Sequence, residues 1–382
     1  MAPAAHDTRT AGLSQTDFQA YIRSELREAV RIALVSVLDA EVESLIGASR
    51  YERSPLRRDR RNGHYTRDLD TSVGRIEALA VPRTRRGHQT QVFERYKRRR
   101  PEVDQTIGEM FIRGVSTQGV GHILAQLNDT QPSASTVSRV FQTLDGEYQA
   151  WKTRPLATHY VYAFADGTYF SVIYNDQGCK MPILAVIGIR PDGVREVLAF
   201  RVGDRENQAA WEDLLADLKA RGVQQVDLWI TDGQQAMLNA LSTKFPGTPR
   251  QRCILHKLQN VLSYIPKQQH DLVEPELKAL FYQPDRLAAD QAVEAFCAQY
   301  ARVYPTAIDC LRRDLDACLT FYAFPASHWR TIRTTNVIER LFEEVKRRSH
   351  KMGAAFRTED SCLLMFYAVV RTLHFRKVLM TN

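Results

Sequence analysis

Long apolar runs are missing from this sequence. A membrane-crossing helix needs about 20 largely apolar residues, and the longest candidates here, Met181 to Ile189 and Leu363 to Val370, each run directly into an arginine. A spanning helix is thereby excluded. Cysteines are few and poorly spaced for stapling. Cys179, Cys253, Cys297, Cys310, Cys318 and Cys362 include no C-x-x-C pair, and no signal-like segment precedes them. A disulfide scaffold is therefore not expected, and a reducing cytosol is. Cys253-x-x-His256 has the spacing of half a zinc site, but no second Cys/His pair completes four ligands. On this pattern alone the two residues are as readily structural. Acidic residues are thin over residues 51–100, where fifteen Arg or Lys stand against six Asp or Glu, an excess of nine beside +8 for the whole chain. Such concentration points to a polyanionic partner, most simply nucleic acid; a solvated basic linker is the plainer alternative.

What remains is ordinary globular composition, 44% hydrophobic and 25% charged with a pI near 9.2. At 382 residues and 43.7 kDa the chain is long enough for two to four units with at least one sizeable core.

Residues 1–13 read as disordered. Ser14-Gln15-Thr16-Asp17 then offers caps for a helix to about Ile46, whose apolar positions Ile32, Leu34, Val35, Val37, Leu38, Val42 and Leu45 suit either self-association or packing on a later domain. From Arg57 to Gly87, Asn62-Gly63-His64-Tyr65 and Val73-Gly74-Arg75-Ile76 are turn-plus-strand signals in an arginine-rich background. A small β element of that kind can sit against phosphates without reading sequence. An Arg95 to Arg100 cluster ends at Pro101. Residues 102–150 read as three helices, about Val103 to Ile112, one from Ser116, and one from Ser133 or Ser135 that carries Val137, Val140, Phe141 and Leu144 inward and Thr136, Ser138 and Arg139 outward. The pattern fits a helix-turn-helix with its last helix in a major groove, and equally any small helical bundle.

The chain is organised around Val161 to Phe170, a run of β-formers holding one carboxylate, Asp166. Burying an ionised Asp is costly without compensation. Asp166-Gly167 could be a tight hairpin turn, but Asn175-Asp176-Gln177-Gly178 follows as a better one, so a long strand through Asp166 is expected. Strands at about 159–174, 180–190 and 194–202 form an antiparallel meander. Asn207 caps a helix with Trp211, Leu214, Leu215 and Leu218 on one face, and Val226 to Ile230 is a short buried strand. Asp232 follows that strand's carboxyl end, where ligands collect in α/β sheets; its bland role is a turn or N-cap. Residues 258–326 read as all-helical. Beyond them, Val337, Ile338, Leu341, Phe342 and Val345 form the buried arc of a helix, with Glu339 at its edge. Asn336-x-x-Glu339 also resembles a capping box, and Glu343 is a rival acid one turn on.

Asp166-Gly167-Thr168-Tyr169, Thr231-Asp232-Gly233, Cys253-x-x-His256 and Arg333-Thr334-Thr335-Asn336-x-x-Glu339-Arg340, in that order, resemble the mutator-type family of bacterial insertion-sequence transposases, over nearly the whole chain. The resemblance implies an α/β fold with a ribonuclease-H-like catalytic core interrupted by an all-helical insertion, preceded by helical and helix-turn-helix DNA-binding domains. The expected divisions are a helical docking or dimerisation segment (1–56), a basic β-rich DNA-contacting segment (57–101), a helix-turn-helix domain (102–155), the first part of the core (156–257), the insertion (258–330) and the C-terminal part of the core (331–382).

The implied activity is DDE transposition, with Asp166, Asp232 and Glu339 as catalytic residues holding two Mg2+ ions, Mn2+ being able to substitute. The implied partner is double-stranded DNA, as terminal inverted repeats and target, bound by a homodimer or larger assembly in the prokaryotic cytosol or nucleoid, with no membrane. The residues expected at DNA are Arg57, Arg58, Arg60, Arg61, Arg83, Arg85, Arg86, Arg98, Arg99 and Arg100 in the basic segment, and Ser135, Thr136, Ser138 and Arg139 on the helix. His256, Arg333, Lys346, Arg347 and Arg348 are expected there too, near the cleft, with His350 and Lys351 on the same exposed side. Two other readings stand beside this one: a structure-selective nuclease on the same core, and a non-catalytic DNA-binding regulator.

Overall fold

The computed structural model describes residues 14–92, 99, 101–128, 131–174, 177–203, 207–349, 356, 358–373, 375–378 and 380. The readings made above for residues 1–13, for Arg95, Arg98 and Arg100, for Asn175 and Asp176, and for His350 and Lys351 lie outside the described residues. The chain is mixed α/β and divides into two compact units, Met1–Thr143 and Leu144–Asn382. Among the described residues no helix is long and apolar enough to cross a membrane.

In the first unit α1 (Gln15–Ile46) starts where Ser14 accepts the amide of Asp17 and stops at Gly47, whose φ of 72° returns its amide to Glu43. A side chain at Gly47 would lie 2.7 Å from the Leu56 carbonyl, so only glycine fits. β1 (Arg61–Thr71) and β2 (Gly74–Thr84) form an antiparallel hairpin closed at Thr71↔Gly74. Leu34 and Leu38 of α1 pack on Leu69, Ile76, Leu79 and Val81 of that hairpin, while Val42, Ile46 and Ala48 bury together. The helix thus finds its core on the segment that follows it. Ile32, Val37 and Leu45, expected on the same apolar face, are exposed, as are Phe18, Ile22 and Leu26.

Three further helices complete the unit: α2 (Pro101–Ile112), α3 (Thr117–Asn128) and α4 (Ala134–Gln142). Ser133 caps α4, Val137 and Phe141 point inward, and the rings of Phe111 and Phe141 meet edge-on at 4.8 Å.

The second unit opens with α5 (Asp145–Thr153). The three-helix reading of residues 102–150 carries the third helix through these residues. Tyr148 and Trp151 instead stack on Phe200, at 5.7 and 4.9 Å, and lie beside Tyr367. Aromatic burial against the sheet decides which unit α5 joins.

The sheet contains β3 (His159–Tyr174), β4 (Gln177–Ile189), β5 (Arg195–Val202), β6 (Gln225–Thr231) and β7 (Arg250–Arg252), in the order β5-β4-β3-β6-β7. β3 to β5 are an antiparallel meander, and β6 and β7 run parallel to β3. β7 was not anticipated, because three polar residues carry no period-2 signal. α6 (Gln208–Ala220), capped by Asn207, and α7 (Gln235–Lys244) cover one face. There Trp211, Leu214, Leu215, Leu218, Met237 and Leu241 bury Ala163, Ala165, Leu184, Val186 and Trp229.

Helices continue through α8 (Ile254–Leu262), α9 (His270–Ala279), α10 (Arg286–Tyr300), α11 (Pro305–Arg312), α12 (Leu315–Cys318) and α13 (Ala326–Ile332). The chain then returns to the sheet's other face as α14 (Asn336–Ser349) and α15 (Glu359–Thr372), where Phe342 and Phe366 pack with Phe170 and Phe200.

Because Leu38 is enclosed by the hairpin and Ile32 is not, Leu38→Ala is expected to destabilise the first unit by about 2–5 kcal/mol and Ile32→Ala by less than about 0.5 kcal/mol. Urea unfolding of the two variants checks this; equal losses would place both side chains in the core.

Candidate active site

Asp166 lies in mid-strand on β3, opposite Ala185 of β4, and β3 and β4 continue pairing to Tyr174↔Gln177. The tight turn is there, so Asp166-Gly167 is not a hairpin. The carboxylate is 6% exposed, and within 3 Å it accepts the amide of Gly167 at 2.8 Å. Next along the sheet, Ala165 pairs with Thr231 in parallel, which sets Asp232 beside Asp166 at the carboxyl end of β6. Asp232 also does the bland job: it accepts the amide of Gln234 at 2.9 Å, shaping the turn into α7.

Glu339 arrives from the first turn of α14. The expected capping box is not what forms. Thr335 precedes the helix, its carbonyl accepts the amides of Ile338 and Glu339, and its hydroxyl donates to Glu339 Oε1 at 2.8 Å. Asn336 is exposed, and so is the rival acid Glu343.

Three residues that the sequence did not single out as supports hold this region together. The amide of Cys253 donates to the Thr231 carbonyl at 2.7 Å, and its Sγ accepts the amide of Thr335 at 3.4 Å. The strand that ends at Asp232 is thereby tied to the cap of the helix that carries Glu339. Arg252 lies against Gly233, where φ is 87° and an added Cβ would fall 2.6 Å from the guanidinium, and it ion-pairs with Asp314 at 2.6 Å. Glycine at 233 is needed both for the backbone and for that contact. The spacing Thr335-x-x-x-Glu339 was the one available signal, since i, i+4 side chains meet on a helix.

The ligand-bearing side chains whose atoms all lie within 4.8 Å of one another are Cys253, His256 and Glu339, and neither Asp166 nor Asp232 belongs to that set. At that spacing Glu339 groups with the Cys-x-x-His pair and not with both aspartates. It still shares their field. Burial is the main cause that raises Asp166, to about 7, with the Asp232 carboxylate next; the Gly167 amide and His256 oppose the rise, and Glu339 adds to it. His256 is raised to about 9, chiefly by its bond to the Cys253 side chain, against burial and with help from Asp166 and Glu339. Burial resists ionisation of Cys253, but His256 and the Thr335 amide outweigh it and hold the thiol below its ordinary value.

The basic residues divide by what they touch. Arg58, Arg60, Arg83, Arg85 and Arg86 are exposed around the hairpin, with Arg83 stacked over Tyr65 at 4.8 Å. Arg57 instead binds the carbonyls of Ser49 and Glu52, closing its own loop. Arg61 pairs with Asp39 and Glu43 of α1 at 2.8 and 3.2 Å, and Arg99 pairs with Asp104 at 2.6 Å. On α4, Ser138 and Arg139 are exposed, whereas Ser135 and Thr136 share the capping hydroxyl of Ser133.

Arg333 stacks on Tyr282 at 3.8 Å. Lys346 is exposed and donates to Thr168 Oγ1 at 2.7 Å, and Arg347 is bonded to Glu344. Arg348 corrects an expectation. It is buried, paired with Glu344 at 2.8 Å and bonded to Thr372, because the helix turns that position toward α15.

The model of the family described as Transposase, Mutator family, matches residues 5–377. The transposase for insertion sequence element ISRM5 of Rhizobium meliloti is 33% identical over 96% of this chain and 92% of its own length. The transposase for insertion sequence element IS256 in transposon Tn4001 of Staphylococcus aureus is 31% identical over 95% of this chain and 94% of its own. Among solved structures, the Drosophila P element transposase strand transfer complex aligns over 75% of this chain and 94% of that chain at 9% identity and a TM-score of 0.39, too distant a likeness to assign a fold.

Asp166 titrates near 7 in the folded chain, above its ordinary 3.8. The unfolded chain loses this proton first, so folding stability falls as pH rises from about 4 to about 7. In metal-free buffer Asp166→Asn is expected to stabilise the protein by about 2–4 kcal/mol at pH 8, with the gain gone near pH 4. Urea midpoints of both proteins across that range check it, and a gain that does not depend on pH would contradict the burial argument.

Proposed function

The chain belongs to the Mutator family of transposases, and from that membership we propose that it cuts DNA at the ends of its insertion sequence and joins the freed 3′-hydroxyls to a target, with Asp166, Asp232 and Glu339 holding two Mg2+ ions. Insertion-sequence transposase activity follows from the family itself; the residues and the metal are our reading.

The observation that carries it is the burial of Asp166 in mid-strand beside Asp232, where burial first and the neighbouring carboxylate second raise its pKa. Numbered from the strand that bears Asp166, the sheet runs 3-2-1-4-5 with the first three strands antiparallel, the layout expected of a ribonuclease-H-like core. That order supports the reading because it brings the first and fourth strands side by side.

The three acids fit Mg2+ by donor type, since hard cations take carboxylate oxygens, and the mutual repulsion around Asp166 is the kind that a dication relieves. Mg2+ held there would supply charge stabilisation to the attacking and leaving oxygens of an in-line displacement. Asp166, the most deeply buried of the three acids, would be the ligand common to the ions. Asp232 is kept at the strand end by Gly233 and Arg252, and Glu339 serves from α14, where Thr335 fixes its approach. The nucleophile is water in the first step and the 3′-hydroxyl in the second, so no side chain becomes covalently attached to DNA. The exposed arginines of the hairpin contact phosphates, and α3 with α4 acts as a helix-turn-helix that presents Ser138 and Arg139 to bases.

Two element ends require more than one copy. Phe18, Ile22 and Leu26, spaced by four along α1 and exposed, form the stripe on which a second copy packs. Ile22→Glu combined with Leu26→Glu is expected to yield a folded monomer by sedimentation velocity; unchanged assembly would move the dimer contact elsewhere.

Asp166→Asn, Asp232→Asn and Glu339→Gln are each expected to lower Mg2+-dependent cleavage of inverted-repeat DNA by about 10²–10³-fold or more, with DNA binding retained. Arg85→Ala with Arg86→Ala is expected to do the reverse, weakening binding in a salt-dependent way. Cleavage surviving in any acid variant would reject this triad. Cleavage without a joined product would identify a structure-selective nuclease, and binding indifferent to Mg2+ and to all three acids, with no cleavage, a regulator.

A further inference from the structure

A third donor for the Cys253-x-x-His256 pair is supplied by Glu339, 83 residues beyond His256 in the chain. Cys253 sits at the start of α8 and His256 one turn later, and Glu339 reaches them from α14, giving one sulfur, one nitrogen and one oxygen donor within 4.8 Å of each other. We propose that these three side chains form a site for a borderline-soft divalent cation, Zn2+ in type, separate in chemistry from the all-carboxylate Mg2+ site and competing with it for Glu339.

Donor chemistry carries the choice of metal. Thiolate and imidazole are poor ligands for Mg2+ and good ones for zinc, and a Cys-His-Glu set with a fourth position left to water is a tetrahedral zinc environment. Bond lengths of about 2.3 Å to sulfur and 2.0–2.2 Å to nitrogen and oxygen place such ligand atoms about 3.3–3.7 Å apart. The existing group therefore needs to contract by no more than about 1.5 Å.

The surroundings are those of a held site. Thr335 supports two of the three ligands at once, its amide donating to Cys253 Sγ at 3.4 Å and its hydroxyl to Glu339 Oε1 at 2.8 Å. Such donors orient metal ligands and favour the charged thiolate. The Cys253 side chain is buried, and the His256 ring, apart from its interaction with Cys253, keeps a buried Nδ1 that has no hydrogen bond of ordinary geometry among the described residues.

The consequence for catalysis rests on the transposase reading given above: a carboxylate engaged by Cys253 and His256 is withheld from the aspartates, so zinc occupancy holds the enzyme in an inactive state. The binding site itself does not depend on that reading, and its test uses no DNA.

Cobalt(II) reports on the site because a thiolate-to-cobalt charge-transfer band appears only when sulfur binds the ion. The full chain carrying Asp166→Asn, which removes the proposed shared ligand of the Mg2+ site, is titrated with Co2+. A band saturating at one equivalent is expected. Adding Cys253→Ser should abolish it, and adding His256→Gln or Glu339→Gln should keep a folded protein and weaken Co2+ binding about tenfold or more. No band near stoichiometric Co2+, a band that survives Cys253→Ser, or affinity untouched by both His256→Gln and Glu339→Gln would overturn the site. Failure of the DNA-cleavage assays would leave these spectra unaffected, so the two proposals fail separately.

Discussion

A carboxylate in the middle of a sheet strand, walled by apolar neighbours, has lost most of its hydration, and the second unit is arranged about that loss. Asp166 recovers little from the protein: one backbone amide at 2.8 Å and the positive field of His256. Against this stand burial and two further carboxylates, and together they lift its pKa to about 7. A fold that needed only stability would place Asn or Ser at this position, because an uncompensated charge costs several kcal/mol. Retaining the acid is intelligible under the proposed function, in which its charge serves a ligand that comes from outside.

Placing the acids is the work of the sheet order and of one junction. Parallel pairing of β3 with β6 fixes the first two by register, with Ala165 opposite Thr231, and nothing beyond backbone hydrogen bonding is needed. The third acid comes from a helix separated from β7 by six α-helices, so no ladder can set its position. The Cys253–Thr335 contact does so: Thr231, Cys253, Thr335 and Glu339 are linked in sequence by three hydrogen bonds. The intervening helices reach the same place through Asp314, whose ion pair with Arg252 backs the turn at Gly233. The helical segment is thus in mechanical contact with the loop that bears Asp232.

The sequence disclosed those parts whose physics is local. The meander, the helix capped by Asn207, the hairpin glycines and the strand through Asp166 follow from periodicity and turn chemistry, and they stand within a few residues of where they were expected. What it withheld depends on long-range packing. β7 owes its existence to the edge of β6 and not to its own polar residues, and α5 breaks from the bundle before it because Trp151 has Phe200 to stack on. The same limit applies at the site. Asp166 and Asp232 were legible as strand-borne acids, but no one-dimensional pattern could reveal that Glu339 leans toward Cys253 and His256, since that requires knowing what lies across from α14.

Charge shows the difference most directly. Counted along the chain, the arginines of the hairpin and those of α14 look alike, and both invite a reading as phosphate contacts. In three dimensions they separate by partner. Arg348 is buried against Glu344, whose pKa is driven down to about 2, first by its bond to Arg347 and further by Arg348. Glu344 is shared by both guanidiniums, and taking Arg348 from it for DNA would strand a buried charge at a cost of about 3–5 kcal/mol. Among the described residues the side chains of Arg58, Arg60, Arg85 and Arg86 form no such buried pair and are exposed, where releasing counterions to a phosphate backbone is favourable. A positive run is therefore informative about nucleic acid only after the acids that fold against it have been subtracted, and by that measure the surplus lies on the hairpin.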